Sequence, residues 1–268
     1  MMHSDQTFEI TVLAGTNRDG KKEGFSRIVI RPGDTLSIVG PTGSGKSAFI
    51  NDIEVLAQND TVTGRSILVD GEEPPEEMVR DPAKKPIALI TQSTQILADL
   101  TVGTFLALHI RARDTDPLQL IDRTIALANE FTGEKIQKSV RISSLSGGQT
   151  RSLLIADAIL IGRTPILLLD EIENAGINKE RVITCIREYQ KAVIFVTHDP
   201  YLALITDRRI VMKNGAVAAV LEPKGREREI IARVTGMDAS IWDLRERIRT
   251  GELIPDQIPH EKKTGIPA

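Results

Sequence analysis

The sequence predicts an α/β protein whose core is a mostly parallel β-sheet. Between residues 35 and 200, apolar runs of strand length alternate with segments of helical period. This order is typical of parallel strands that are covered by helices on both faces. Before residue 31, two strand-like segments separated by a polar turn predict a small antiparallel sheet.

The strands are predicted from short apolar or alternating runs bounded by glycine, proline or charged residues. We expect them at residues 8–13, 26–30, 35–39, 66–69, 87–91, 165–169 and 192–197, followed by a closing hairpin of residues 209–212 and 216–221.

Helical period predicts helices at residues 47–57, 146–160 and 178–190, and a mostly helical insertion at about residues 101–145. Within the insertion, Asp116-Pro117 has the cap and the proline of a helix start. The charged and proline-rich residues 72–86 are expected to form a solvated loop.

Two parts of unequal size are therefore expected. Residues 1–225 would form one domain, and residues 226–268 a C-terminal extension. In the extension, Gly236 is expected to separate two amphipathic helices, and the last residues are expected to fray.

Composition limits the classes of protein that the chain can belong to. The 268 residues are 41% hydrophobic and carry a formal net charge of −3, so there is no overall basic bias toward nucleic acid. No apolar run approaches the roughly 20 residues that cross a bilayer. The first residues lack the layout of a secretory signal, and the single Cys185 cannot form an internal disulfide. We expect a cytoplasmic protein without a nucleic-acid partner, which reaches a membrane only through other subunits.

A glycine-rich segment lies between the strand at residues 35–39 and the first helix, the setting that a phosphate-binding loop requires. Its glycines let the backbone close around an anion and direct N–H groups at phosphate oxygens. Lys46 can reach the outer phosphates, and the Ser47 hydroxyl can bind Mg²⁺. The alternative is a plain Gly/Ser turn. Since every required residue is present, we predict that a nucleoside triphosphate is bound by Gly40, Pro41, Thr42, Gly43, Ser44, Gly45, Lys46 and Ser47.

Two acids end the apolar strand near residue 169. In a phosphate-loop fold this position brings Asp170 close to Mg²⁺. Glu171 would then lie where a carboxylate can orient and deprotonate an attacking water. Capping of the next helix is the alternative role for these acids.

The segment Leu145-Ser146-Gly147-Gly148-Gln149 opens a predicted helix between the two nucleotide motifs. A serine hydroxyl, exposed backbone N–H groups and a helix N-terminus can form a second anion-binding surface. The segment resembles the signature of ATP-binding cassette (ABC) ATPases. The resemblance implies that Ser146, Gly147, Gly148 and Gln149 contact the γ-phosphate held by a second copy, in a head-to-tail dimer with two ATP molecules.

Two further residues extend the resemblance, which covers roughly residues 8 to 222. Gln92 follows the strand at residues 87–91 and resembles the glutamine that senses Mg²⁺ and the attacking water. His198 follows the strand at residues 192–197 and resembles the switch histidine that contacts γ-phosphate. The family therefore implies Glu171, His198 and Gln92 as catalytic residues, with Ser47, Gln92 and Asp170 as metal ligands.

The chain also departs from the family pattern. The aromatic residue that stacks on adenine is not evident, since Phe8 and Phe25 are the only candidates upstream of the phosphate loop. Ile172 replaces the usual proline. In residues 173–178 the usual aspartate is missing, and Asn178 could replace it one position later.

The resemblance implies a Mg²⁺-dependent ATPase, and the family's commonest task makes it the energising subunit of a membrane transporter. A soluble ABC ATPase that remodels proteins or assembles a metal cofactor is the alternative. A module that binds ATP without hydrolysing it is disfavoured by Glu171 and His198. The expected partners are a second copy and either an integral-membrane subunit or a soluble protein complex.

Overall fold

The computed structural model describes residues 8–94, 96, 99–113 and 119–253. The chain divides into two compact units, Met1–Glu222 and Pro223–Ala268. The first unit contains two sheets and seven α-helices among its described residues.

A six-stranded sheet forms the centre of the first unit. Its strand order is β5-β6-β7-β3-β8-β9, and all neighbours are parallel except the antiparallel pair β8 and β9. The strands are β3 (Thr35–Val39), β5 (Ile87–Ile90), β6 (Ile166–Asp170), β7 (Ala192–Val196), β8 (Arg208–Lys213) and β9 (Ala216–Leu221). The predicted α/β class is thus confirmed. Strand β7 and residues 166–169 of β6 are continuous apolar runs, as expected of strands whose two faces are both covered.

A smaller antiparallel sheet has the order β2-β1-β4. It contains β1 (Ile10–Leu13), β2 (Arg27–Ile30) and β4 (Ser66–Val69). Its buried side chains, such as Ile10 and Ile67, share one core with Ile38, Phe49 and Ile194. The small sheet is therefore packed on the same core that supports the phosphate loop.

The helices of the first unit are α1 (Lys46–Glu54), α2 (Glu76–Arg80), α3 (Val102–Ala112), α4 (Leu120–Phe131), α5 (Gly147–Leu160), α6 (Lys179–Glu188) and α7 (Pro200–Ile205). Helix α5 begins with a capping box, in which Ser146 Oγ accepts from Gln149 N and Gln149 Oε1 accepts from Ser146 N. Helices α3 and α4 lie in the predicted insertion. The predicted start at Asp116-Pro117 lies outside the described residues.

One expectation was wrong in detail, and one short helix had not been predicted. Residues 72–86 are not all loop, because Glu76–Arg80 is helical. Two glutamates in its first turn and Arg80 in its last turn favour a helix electrostatically, and Arg80 pairs with Glu76 one turn earlier at 2.5 Å. The short helix α7 was not predicted; it begins with Asp199 as N-cap and Pro200 at the first helical position.

The second unit contains one helix where two were expected. Helix α8 (Arg226–Arg249) runs through Gly236 without a break. A glycine inside a helix costs only about 1 kcal/mol relative to alanine, so it weakens the helix without ending it.

A buried arginine joins the small sheet to the phosphate-loop region. Arg65 is fully buried and donates to Glu23 Oε1 at 2.7 Å and to Asp52 Oδ2 at 2.9 Å. It also donates to the carbonyl of Gly215, in the turn between β8 and β9, at 3.0 Å. Burial disfavours the charged guanidinium, but the hydrogen bonds and charges of Glu23 and Asp52 outweigh this effect and raise the Arg65 pKa.

Removing this arginine should strongly destabilise the protein. In Arg65→Ala, two carboxylates lose their buried partner, and we expect a loss of about 3–5 kcal/mol in the free energy of unfolding. Urea denaturation at pH 7 measures the loss. The matched control is Arg80→Ala, whose exposed pair with Glu76 should contribute less than about 1 kcal/mol. Equal stability of the two variants would contradict the structural role of Arg65.

Candidate functional site

A cavity of about 620 Å³ opens at the carboxyl ends of the parallel strands. Open parallel sheets bind ligands at this edge. The cavity is lined by Arg18, Thr42, Gly43, Gly45, Lys46, Ser47, Ala48, Thr91, Gln92, Ser93, Asp170, Glu171, Val196 and His198. Residues from the end of β3, the end of β6 and the end of β7 thus meet in one place.

The phosphate loop adopts a conformation that only glycine accommodates at two positions. Gly40 and Gly45 have φ angles of 149° and 104°. A Cβ on Gly40 would lie 2.4 Å from the Met212 carbonyl oxygen, and one on Gly45 would lie 2.8 Å from Gly215 Cα. The phosphate loop is therefore packed directly against the β8–β9 hairpin.

Lys46 begins helix α1 with its side chain folded over the loop. Its Nζ donates to the carbonyl oxygens of Gly40 at 2.8 Å and Pro41 at 3.2 Å. The ammonium is largely buried and lies in the cavity wall. Together with the backbone N–H groups at the start of α1, it supplies positive potential for an anionic ligand.

Acidic side chains gather opposite the lysine. Burial raises the pKa of Asp170, the charges of Glu171 and Glu173 raise it further, and Lys46 partly offsets this effect. A divalent cation would relieve this repulsion. Asp170, the Ser47 hydroxyl and the Gln92 amide line the same cavity and supply the oxygen ligands that Mg²⁺ prefers. The residues present therefore fit the ion.

Glu171 and His198 are neighbours at the mouth of the cavity. Their closest side-chain atoms, Glu171 Oε1 and His198 Nε2, are 3.9 Å apart. Glu171 has a left-handed backbone with φ of 51°, an uncommon conformation for a residue other than glycine. Its N–H donates to the Val196 carbonyl at the end of β7, which holds the turn in place.

Sequence reasoning did not assign a role to Glu173. Its Oε1 accepts from Thr197 Oγ1 at 2.7 Å and from the backbone N–H of His198 at 3.0 Å. Glu173 therefore connects the turn after β6, which carries Glu171, to the turn after β7, which carries His198. The contact of Glu173 with Thr197 and His198 joins residues that are far apart in the sequence. The only sequence feature that indicated a role for Glu173 was its position two residues after Glu171.

Arg18 was also missed. It lies in the loop between β1 and β2, and its Nη2 donates to the Gly43 carbonyl at 2.6 Å. Phe8 and Phe25 do not line the cavity, because both pack against the hydrophobic core. The side chain that the β1–β2 loop presents at the phosphate loop is thus cationic.

The predicted anion-binding segment at the start of α5 lies elsewhere. Ser146, Gly147, Gly148 and Gln149 are not among the residues that line the cavity. Helix α5 is nevertheless linked to it, since Arg151 Nη2 donates to the Gln92 carbonyl at 2.7 Å. Asn178, the candidate replacement for the missing aspartate, caps α6, and its Oδ1 accepts from Arg181 N at 3.0 Å.

A glycine-rich loop between a strand and a helix, an acid at the end of a neighbouring parallel strand, and a cavity between them define a P-loop nucleoside triphosphatase. Comparison with known proteins narrows this class. Residues 26–174, more than half of the chain, match the ABC transporter family.

Individual relatives agree. An uncharacterized ABC transporter ATP-binding protein of Methanocaldococcus jannaschii is 47% identical over 91% of this chain and 94% of its own length. An energy-coupling factor transporter ATP-binding protein of Streptococcus agalactiae is 30% identical over 76% of this chain and 74% of its own length. The chain therefore belongs to the ABC transporter family. It is an ATP-binding, ATP-hydrolysing subunit that energises a transporter.

A solved structure shows the same fold. The dimeric, post-hydrolysis ATP-binding cassette MJ0796, bound to ADP and Pi, superposes with a TM-score of 0.61 over 81% of this chain and 99% of that chain, at 23% identity. Among the described residues, no helix has the length and apolar character needed to span a membrane.

The bridge made by Glu173 can be tested by substitution. Glu173→Ala removes the acceptor of two hydrogen bonds that hold the His198 turn, and each charged hydrogen bond is worth about 1.5–3 kcal/mol. We expect kcat for ATP hydrolysis to fall about tenfold or more, with KM within about twofold. Glu173→Gln keeps an acceptor oxygen and should retain most of the activity. Equal loss in both variants would contradict a hydrogen-bonding role.

Proposed function

We propose that the cavity holds Mg²⁺-ATP in a fixed orientation and that each subunit supplies only one half of a complete site. The proposal depends mainly on one observation: Lys46, Asp170, Glu171 and His198 converge on one cavity, whereas the segment beginning at Ser146 lies outside it.

The phosphate loop would bind the triphosphate. Gly43, Gly45, Lys46 and Ser47 line the cavity, and their backbone N–H groups together with the Lys46 ammonium would hold the phosphate oxygens. Ser47, Gln92 and Asp170 would hold Mg²⁺, which when bound neutralises charge on the phosphates. Arg18 lies at the rim beside Gly43 and adds a second cation.

Glu171 would act as the general base. The carboxylate stands at the mouth of the cavity, one residue beyond the proposed metal ligand Asp170. From there it can accept a proton from water that attacks the terminal phosphate. His198, 3.9 Å from this carboxylate, would contact the same phosphate, and Glu173 holds its backbone in place.

The second half of the site would come from another copy. The N-terminus of the 14-residue helix α5 is exposed at Ser146 and Gly147. The capping box occupies the N–H groups of Ser146 and Gln149, so those of Gly147 and Gly148 would donate to an anion. A head-to-tail dimer brings this end over the phosphate loop of the partner and forms two equivalent sites. The solved cassette MJ0796 is itself dimeric.

The driven partner would be an integral-membrane subunit. The relatives are ATP-binding proteins of transporters, which favours this over a wholly soluble complex. The partner would dock near the Gln92 turn and the insertion containing α3 and α4, since Arg151 links that turn to α5. The chain would then act in the cytoplasm, at the inner face of the membrane.

Removing the proposed base should separate binding from hydrolysis. In Glu171→Gln the shape of the site is kept but proton transfer is lost, so we expect ATP hydrolysis to slow by about 10²–10⁴-fold. ATP affinity should remain within about threefold, and ATP should trap a dimer visible by light scattering after size exclusion. Glu180→Gln, on the exposed surface of α6, is the matched control and should behave as wild type. Hydrolysis near the wild-type rate in Glu171→Gln would show that the base is another group.

The proposed membrane partner is tested by gentle co-purification. A tagged Glu171→Gln chain, expressed in native cells and extracted in mild detergent with ATP, should recover a polytopic membrane protein at a fixed ratio. Recovery should fall in a variant whose insertion surface is changed, such as Leu108→Glu on the exposed side of α3. Recovery of soluble partners alone would favour protein remodelling or cofactor assembly instead.

A further inference from the structure

Helix α8 carries a regular apolar stripe that the established activity does not use. Successive members are separated by four, three, four, three and four residues, the spacing of the a and d positions of a heptad repeat. The stripe consists of Ile230, Val234, Met237, Ile241, Leu244 and Ile248.

Most of this stripe is exposed. Ile230, Met237, Ile241 and Ile248 have 46%, 60%, 48% and 60% of their surface accessible. Scattered exposed apolar residues are normal, but a continuous row along one helix marks a surface that another molecule covers. The row spans about 27 Å at 1.5 Å per residue.

The charges beside the stripe favour a second copy of this helix in parallel orientation. The spacing makes Val234, Ile241 and Ile248 the a positions of the heptad. In a parallel, in-register pair, the residue just before an a position faces the residue five places later in the partner helix. Arg233 would then face Asp238 of the other copy, on both sides of the pair. An antiparallel pair would place Arg233 against Arg247 and Asp238 against its own counterpart, which is repulsive.

Symmetry permits this pairing together with the nucleotide-dependent dimer. A parallel helix pair has a two-fold axis, as does a head-to-tail pair of cassettes, so one symmetric dimer can contain both. With 24 residues, α8 is longer than the roughly 12–15 residues below which an isolated helix is marginal in water. Once α8 has paired, the two nucleotide sites would meet at a raised effective concentration.

We propose that α8 pairs in parallel and in register with α8 of a second copy and holds two subunits together without nucleotide. ATP would then close a dimer that is already joined through its C-terminal helices. The pairing does not depend on the proposed catalytic roles, because it is measured in the absence of ATP.

Sedimentation of the full chain without nucleotide tests the pairing. The wild-type chain should be dimeric at micromolar concentration. Ile241→Glu would bring two carboxylates together between the paired stripes and should raise the dimer dissociation constant tenfold or more. Ala239→Glu adds the same charge on the outer face of the same turn and should have no effect. Circular dichroism confirms that both variants remain folded. A monomeric wild-type chain, or an equal effect of the two substitutions, would overturn the proposal.

Cysteine cross-linking tests the orientation. The native Cys185 is buried, and burial raises its pKa to about 12, so it does not compete as a thiolate. In a parallel pair, Ile230→Cys and Ile248→Cys should each form a disulfide-linked dimer alone, whereas Ala239→Cys should not. If a disulfide-linked dimer forms only when the Ile230→Cys and Ile248→Cys chains are mixed, the helices are antiparallel and the proposed register is wrong. If none cross-links, α8 does not pair with a second copy. If the Glu171→Gln chain still forms a dimer with ATP in either case, the proposed ATP site stands without the helix pair.

Discussion

The close approach of the phosphate loop to the β8–β9 hairpin is the constraint on which the rest of the site depends. Gly40 and Gly45 have no room for a Cβ, because the backbone of this hairpin lies directly against them. The hairpin turn is held by Arg65, which is fully buried and donates hydrogen bonds to Glu23, Asp52 and the Gly215 carbonyl. Because Asp52 lies on α1, the same buried charge network sets the position of the helix whose N-terminal residues line the cavity.

A second constraint is electrostatic. Three carboxylates, Asp170, Glu171 and Glu173, lie at the end of β6 and in the next turn. Burial raises the pKa of Asp170, and the charges of the two glutamates raise it further. A raised pKa means that protonation competes with cation binding at this carboxyl, so a bound Mg²⁺ would be displaced more readily as pH falls through that pKa. The backbone strain at Glu171 is maintained by its hydrogen bond to β7 and by the Glu173 bridge to the next turn. The turns that carry Glu171 and His198 are thereby kept in one arrangement.

The sequence predicted the parts of this fold that are encoded by neighbouring residues. The strand at Thr35–Val39, the glycine-rich loop before α1 and the helix that begins at Ser146 are local patterns, and the structure confirms their positions. Sequence reasoning failed where contacts are non-local or where signals conflict. Arg18 and Glu173 are functional candidates only because folding brings them to Gly43 and His198. Gly236 indicated a break, but the residues on both sides favour one continuous helix, and a single glycine does not overcome them.

The proposed division of the ATP site between two copies is the reason that pairing of α8 would matter. Assembling two free subunits around ATP costs translational and rotational entropy, which would be drawn from the binding energy of the nucleotide. If the C-terminal helices already hold the subunits together, closure becomes intramolecular and this cost is largely removed. The binding energy of ATP is then available to move the α5 N-termini toward the opposite phosphate loops. Since Arg151 connects α5 to the Gln92 turn, that movement would be transmitted to the surface where the membrane subunit is proposed to dock.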